Sequence, residues 1–376
     1  MPNKNIPFNR VDIQGSELEY IQRTITNARI SGDGVFTYKC NALLEKVLNV
    51  KKSLLTTSCT HALEISAMLL DIKSEDEVIV PSFTFVSTVN SFVIRGAKPV
   101  FIDIHSDTLN MDESKLEKLI TKNTKAIIPV HYAGVGCEMD IIMNIANKYN
   151  VPVVEDNAHG LFGKYKDKYL GTFGTFTTQS FHETKNFSCG EGGALLINDD
   201  KYIERAEIIR EKGTDRSKFF RGEVDKYTWT DIGSSYLPSD ILSAFLYAQL
   251  EKRKNIQTKR KIIWEMYYNE LIIWADNNNI QLPYIPDYCD QTYHMFYFLF
   301  ESNEIRERFI RYMKENNINT IFHYQPLHKS IMGKRFGEYK CAVTEKIADR
   351  IVRLPFYSNL SNELQSIIIN TIVKFS

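Results

Sequence analysis

From about residue 50 the chain alternates short apolar runs with stretches of helical spacing. Val50 to Leu55 reads as a strand, and Thr60 to Leu70, with Leu63, Met68 and Leu70 apolar, as the helix that follows. Glu77 to Val80 is a second run, followed by helical spacing over Phe85 to Arg95. Lys98 to Ile102, Ala126 to Val130 and Val151 to Glu155 are Val- and Ile-rich, as strands buried on both faces are. Met139 to Tyr149, between the last two, is helical. Phe176 to Phe181 and Ala194 to Asn198 add two more strands. This alternation predicts an α/β fold, a mostly parallel sheet flanked by helices.

Near residue 240 the pattern changes. Asp240 to Leu271 is a long helical stretch nearly free of Gly and Pro, and Pro283 and Pro286 then interrupt the chain. A strand-like run, Met295 to Phe300, and a helix, Glu304 to Asn316, follow. The reading is a large domain over residues 1–250 and a smaller C-terminal α+β domain over 251–376, with the long helix as the bridge. A length of 376 residues fits this division, because single cores stop growing at roughly 250–300 residues.

Composition narrows the partners. Lys plus Arg and Asp plus Glu are both 46, so the net charge is zero. That balance points away from nucleic acid as the main partner, while a local basic patch can still hold a phosphate. The opening MPNKNIPFNR has no long apolar stretch of the kind a leader carries. No segment approaches the ~20 apolar residues of a membrane span. Cys40, Cys59, Cys137, Cys189, Cys289 and Cys341 include no CxxC pair. The expectation is a cytoplasmic protein with reduced thiols, no metal site and no membrane contact.

In an open α/β sheet, ligands bind beyond the carboxyl ends of the strands. Three polar clusters fall there. Thr57-Ser58-Cys59-Thr60, between a strand and a helix, is either a phosphate cradle or an ordinary N-cap by Ser58 or Thr60. Asp156, in Val153-Val154-Glu155-Asp156-Asn157-Ala158-His159-Gly160, either pairs with a ring N–H cation or caps the next turn. Lys185 follows Ser180-Phe181-His182-Glu183-Thr184 and precedes Gly190-Glu191-Gly192-Gly193. It is either a solvated charge or a partly buried lysine that sheds its proton and becomes a nucleophile. Together the three meet the needs of pyridoxal phosphate (PLP): donors for the phosphate, a carboxylate for the pyridine nitrogen, an amine for the aldehyde. Phe85 and His159 are the candidates to cover the two faces of the ring.

The order of these motifs resembles the DegT family of nucleotide-sugar aminotransferases. The matching pieces are Asp156-x-x-His159, Ser180-x-x-x-x-Lys185 and the Gly-Glu-Gly-Gly turn, with Pro81-Ser82-Phe83-Thr84-Phe85-Val86-Ser87-Thr88 and Pro129-Val130-His131-Tyr132-Ala133-Gly134. The resemblance runs from Ile6-Pro7-Phe8 to Arg353-Leu354-Pro355. Within the family it is greatest to the dTDP-4-amino-4,6-dideoxygalactose transaminases. Arg210 to Thr214, Arg221, Asp225 to Trp229 and Gly233 to Leu237 carry that closer likeness.

The resemblance implies the fold-type I aminotransferase architecture, PLP as cofactor, and a homodimer with shared active sites. It implies Lys185 as the lysine that carries the cofactor and moves the protons, and Asp156 at the pyridine nitrogen. Ser180 would hold the phosphate with Cys59 and Thr60, and Phe85 and His159 would sandwich the ring. Many members have Gln where this chain has His159. His323, Tyr324 and His328 would lie near the sugar nucleotide; the alternative is histidines packed in the small domain. Lys212, Arg216 and Arg221 are candidates for a diphosphate; the alternative is a solvated charged face. Many members follow the tyrosine equivalent to Tyr236 with an Asn that reaches the partner's cofactor. Leu237 stands there in this chain, which leaves Ser235 or a neighbouring main-chain group for that contact. The implied reaction moves the amino group of L-glutamate to C4 of dTDP-4-keto-6-deoxy-D-glucose, giving dTDP-4-amino-4,6-dideoxy-D-galactose and 2-oxoglutarate. The alternatives are transfer to C3 of a dTDP-3-keto-6-deoxyhexose and a non-catalytic PLP-binding regulatory protein. Dehydratases on this fold carry His in place of the lysine, and Lys185 argues against them.

Overall fold

The computed structural model describes residues 5–375. Residues 1–4, part of the stretch read for a leader, and residue 376 lie outside the described residues. Seven strands build the main sheet: β1 (Lys52–Thr56), β2 (Glu77–Pro81), β3 (Lys98–Ile102), β4 (Thr124–Ile127), β5 (Val154–Asp156), β6 (Phe176–Ser180) and β7 (Gly193–Ile197). β2 pairs in parallel with β3 and β4. Parallel bridges Ile127↔Val153 and Val130↔Asp156 carry the sheet from β4 to β5. β5 then pairs in parallel with β6, and β7 lies antiparallel between β6 and β1. The order is therefore β3-β2-β4-β5-β6-β7-β1, mostly parallel as the sequence pattern predicts. β7 is the exception because the loop from β6 contains no crossover helix, and a parallel pair needs a crossover.

Helices α1 (Glu17–Thr26), α2 (Val35–Leu48), α3 (Cys59–Leu69), α4 (Val86–Val93), α5 (Met139–Tyr149), α6 (Ile203–Arg210) and α7 (Asp240–Glu251) pack around this sheet. Both of its faces are buried. Val78 and Val80 enter one core with Leu54, Phe176 and Leu195. Ile79, between them, enters the opposite core with Ile102, Ile127 and Val153.

The single helix expected over Asp240 to Leu271 is two. α7 ends at Glu251, Lys252 breaks the helix at φ −89 and ψ 11, and α8 runs over Arg253–Asn277. The break turns α8 onto a second core, where Trp264, Tyr267 and Leu271 meet Phe296, Phe298 and Phe309. β8 (Tyr297–Leu299) and β9 (Ile351–Arg353) pair antiparallel there, flanked by α9 (Asn303–Glu315) and α10 (Asn362–Ile372). We propose 1–250 and 251–376 as the two domains, on the strength of the break at Lys252 and this separate core. The N-terminal segment crosses that line: Ile6 is buried in the second core, its N–H donating to Asn317 O at 2.8 Å.

Candidate active site

The parallel strands β1, β2, β4, β5 and β6 all end at one cavity of about 640 Å³, closed on its far side by Ile321, His323, Tyr324 and Arg353. It gathers Cys59, Thr60, Phe85, Asp156, His159, Ser180 and Lys185 from separate strand ends.

One wall is the start of α3. Ser58 Oγ accepts from His61 N–H at 3.1 Å, so Ser58 is the N-cap. The N–H groups of Cys59 and Thr60, in the first turn, have no intrahelical acceptor, and the helix dipole favours an anion beside them. The Thr60 hydroxyl donates to Ser87 Oγ at 2.8 Å, and Ser87 lines the same wall. β7 passes directly beneath: a Cβ on Gly193 would stand 2.4 Å from Cys59 N and 2.5 Å from Ser58 O. Only glycine lets the strand approach this closely. Ser180 pairs in register with Gly193, bringing a further hydroxyl to the cradle.

On the neighbouring wall, Asp156 is buried at the end of β5. Its Oδ2 accepts from Thr88 Oγ1 at 2.7 Å and its Oδ1 from Ala158 N–H at 3.1 Å. The turn cap and the cavity-facing carboxylate are thus the same residue. Thr84 Oγ1 lies 2.9 Å from Thr88 Oγ1 and extends the network.

Lys185 stands between these walls. Burial lowers its ammonium from the ordinary 10.5 to about 8; the Arg353 charge pushes the same way, while Cys59 and Asp156 oppose it. Burial, with the charges of Lys185 and Arg353, also drives His159 well below the usual histidine range, so its ring is neutral. His159 Nδ1 is buried without a hydrogen-bond partner. The ring stacks on His294, centroids 4.2 Å apart and planes at 18°. Phe85 is exposed on the cavity side, 6.3 Å from the Tyr324 ring. A donor cradle, a hydrogen-bonded carboxylate and an amine that loses its proton near pH 8 fit pyridoxal phosphate.

The other expected residues divide. His323 and Tyr324 line the cavity, stacked at 3.8 Å. His328 does not: its Nδ1 lies 2.6 Å from Ser82 Oγ and its Nε2 3.0 Å from Glu345, so it is a packed histidine tying two segments. Lys212 and Arg216 both pair with Glu211, at 2.8 and 3.1 Å. Arg221 pairs with Glu207 at 2.8 Å and Glu223 at 2.7 Å. None of the three lines this chain's cavity. Ser235 bridges to Glu211, and the Tyr236 hydroxyl donates to Glu64 at 3.2 Å. Thr88, His294 and Arg353 are cavity residues the sequence reading passed over. Arg353 had a signal, a lone charge in the apolar run Ile351-Val352-Arg353-Leu354. All six cysteines are free. Among the described residues no group of three or more His, Cys, Asp and Glu is placed to hold a metal, and no helix is long and apolar enough to cross a membrane.

Residues 11–373 match the sequence profile of the DegT/DnrJ/EryC1/StrS aminotransferase family. The chain belongs to this family. An uncharacterized protein of Methanocaldococcus jannaschii is 34% identical over 352 residues, 91% of this chain and 90% of its own length. A Streptococcus pneumoniae chain described as a sugar aminotransferase, in its PMP form, superposes with a TM-score of 0.91 at 26% identity, covering 99% of both chains. It has also been solved in a PLP form. The aminotransferase TlmJ of Streptoalloteichus hindustanus gives 0.90 at 25% identity, covering 98% of this chain and 97% of its own. The enzyme is a PLP-dependent sugar aminotransferase with the expected aminotransferase fold.

Proposed function

We propose that the enzyme moves the amino group of L-glutamate to C4 of dTDP-4-keto-6-deoxy-D-glucose, giving dTDP-4-amino-4,6-dideoxy-D-galactose and 2-oxoglutarate. The observation that carries the chemistry is one cavity holding the Lys185 amine, the Thr88-supported Asp156 carboxylate and the open first turn of α3. Bound pyridoxal phosphate supplies an electron sink for the charge left when the α-proton departs. Cys59 and Thr60 N–H and the Ser180 hydroxyl hold the phosphate. Asp156 faces the ring nitrogen and keeps it protonated. His159 and Phe85 cover the ring. Lys185 Nζ takes the α-proton of glutamate and later delivers a proton to the sugar's C4. The choice of a 4-keto dTDP sugar rests on the likeness over Arg210 to Leu237.

We further propose a homodimer with composite sites, working in the cytoplasm, a compartment that suits six free thiols. The loop after α6 supports the dimer: Trp229 is 78% exposed and Phe220 65%, an apolar surface that a partner would cover. Sedimentation tests this, and a fully active monomer at assay concentration would refute it. For the reaction, the enzyme is incubated with glutamate and a panel of keto-sugar nucleotides, and the product is read by NMR. A small H3–H4 coupling marks the axial amine of the galacto product. A large one marks the gluco isomer, and an amine at C3 moves the enzyme to the 3-keto group.

A further inference from the structure

Apart from Lys185, Arg353 is the only Lys or Arg lining the cavity among the described residues. It projects from β9, between Val352 and Leu354 of the second core, and is 7% exposed. No described carboxylate lies within ion-pair distance of it, and its buried Nε has no partner. Buried charges are ordinarily paired, so a guanidinium left open toward a cavity points to an anionic ligand. Its orientation is fixed from behind. Arg353 Nη1 donates to His323 Nε2 at 2.8 Å. A guanidinium only donates, so the other nitrogen, Nδ1, carries the hydrogen and donates to the Tyr132 hydroxyl at 3.2 Å. The Phe8 ring covers the guanidinium at 4.9 Å.

We propose that Arg353, oriented by His323, docks the α-carboxylate of the amino donor. This rests on the transamination reading above and deepens it. The phosphate cradle lies on the opposite wall, at the start of α3, and supplies its own donors. On the second-core wall a single planar fork matches one carboxylate in charge and shape; a diphosphate there would lack a second cation. The reacting carbon must come to Lys185, and the α-carboxylate is the acidic group bonded directly to that carbon.

The test uses the PLP-loaded enzyme and its Arg353→Gln and Arg353→Lys variants. Single-turnover loss of the cofactor's visible band is followed with glutamate, glutamine (γ-amide) and isoglutamine (α-amide). The wild type should prefer glutamate over isoglutamine by about a hundredfold, and Arg353→Gln should lose most of that preference by slowing with glutamate while its rate with isoglutamine changes little. Glutamine, which keeps the α-carboxylate, should slow in Arg353→Gln as glutamate does; dependence with glutamate but not glutamine would assign Arg353 to the γ-carboxylate and overturn the inference. Binding of α-methylglutamate, which has no α-proton to lose, should weaken in parallel by calorimetry. Arg353→Lys, which keeps the charge without the fork, should fall between. If Arg353→Gln fails to fold, the wild-type amide series and Arg353→Lys decide. Isoglutamine reacting as fast as glutamate overturns the inference while leaving transamination intact. A loss confined to the keto-sugar half-reaction assigns Arg353 to a phosphate and also overturns it. If glutamate converts the wild type but no keto sugar restores it, the proposed acceptor fails and the role of Arg353 stands.

Discussion

Thr88 Oγ1 donates to Asp156 Oδ2 at 2.7 Å, linking the first turn of α4 to the end of β5. The hydroxyl holds a buried carboxylate toward the cavity while Ala158 N–H holds its other oxygen. Thr88→Val removes a hydrogen bond to a charged group, worth about 1.5–3 kcal/mol. The glutamate half-reaction should slow about tenfold or more with donor binding little changed. Asp156→Ala should be more severe in the same step, because it removes stabilisation made in the transition state. Stopped-flow measurement of both variants decides; near-normal turnover in Asp156→Ala would leave the residue as a turn cap.

Burial lowers the Lys185 ammonium to about 8, and only the free amine is a nucleophile. Capture of pyridoxal phosphate by the apo-protein should therefore accelerate with pH up to about 8 and level off above it. Stability follows the same shift. Between 8 and the ordinary 10.5 the unfolded chain binds a proton that the folded chain does not, so folding is favoured by rising pH across that window. Below 8 the lysine is charged in both states and its burial is a constant cost. Apo Lys185→Met should thus melt above the wild type at pH 7, the gap narrowing toward pH 10.5. Lys185→Ala should lose the lysine-bound visible band and all activity, and borohydride labelling of the wild type should map to Lys185. A label on another lysine removes the assignment.

Gly193 is where β7 passes beneath the start of α3, and an added Cβ would meet backbone, 2.3 Å from Ser58 C and 2.4 Å from Cys59 N. Backbone cannot swing aside as a side chain can, so Gly193→Ala must part the strand from the helix terminus. Cofactor affinity should fall about tenfold or more by fluorescence titration, since one lost charge-assisted contact already has that size. Ser58→Ala should instead lose the cap alone, about 1 kcal/mol of stability. Equal cofactor affinity in Gly193→Ala and wild type would remove the cradle from α3.

The sheet was legible because strands buried on both faces are continuous apolar runs, and Val78 to Val80 and Leu195 to Ile197 are such runs. The direction of β7 was not, since it depends on the connection and not on the strand. Asp156, Ser180 and Lys185 could be picked out as polar residues ending or following those runs. Arg353 and His294 enter from the second core, and which of its side chains reach the cavity depends on how the two cores dock. His323 and His328 show the limit. Both sit in one short segment with the same chemistry, yet one turns to Arg353 and the other to Ser82 and Glu345. The helix break at Lys252 needs no Gly or Pro, so nothing in the residue types announces it.

The three basic residues after α6 are not equivalent. Lys212 and Arg216 share the single carboxylate of Glu211, so that cluster keeps surplus positive charge. Arg221 lies between two carboxylates, Glu207 and Glu223, and has none to spare. Since none of them lines its own cavity, Lys212 and Arg216 can meet a sugar nucleotide only at the partner's site in the proposed dimer. Lys212→Ala and Arg216→Ala should each raise KM for the sugar nucleotide about tenfold, the size of one charge-assisted contact. Arg221→Ala should change it little, and the glutamate half-reaction should be unaffected in all three. Because these side chains are about half exposed, the wild-type KM should also climb with salt. Mixing separates the two chains. A hybrid of Lys185→Ala and Arg216→Ala protomers holds one site with an intact lysine from one chain and an intact arginine from the other. That hybrid should regain up to half the wild-type activity if Arg216 serves its partner. If Arg216 serves its own chain, no hybrid site is whole, and mixing should restore nothing.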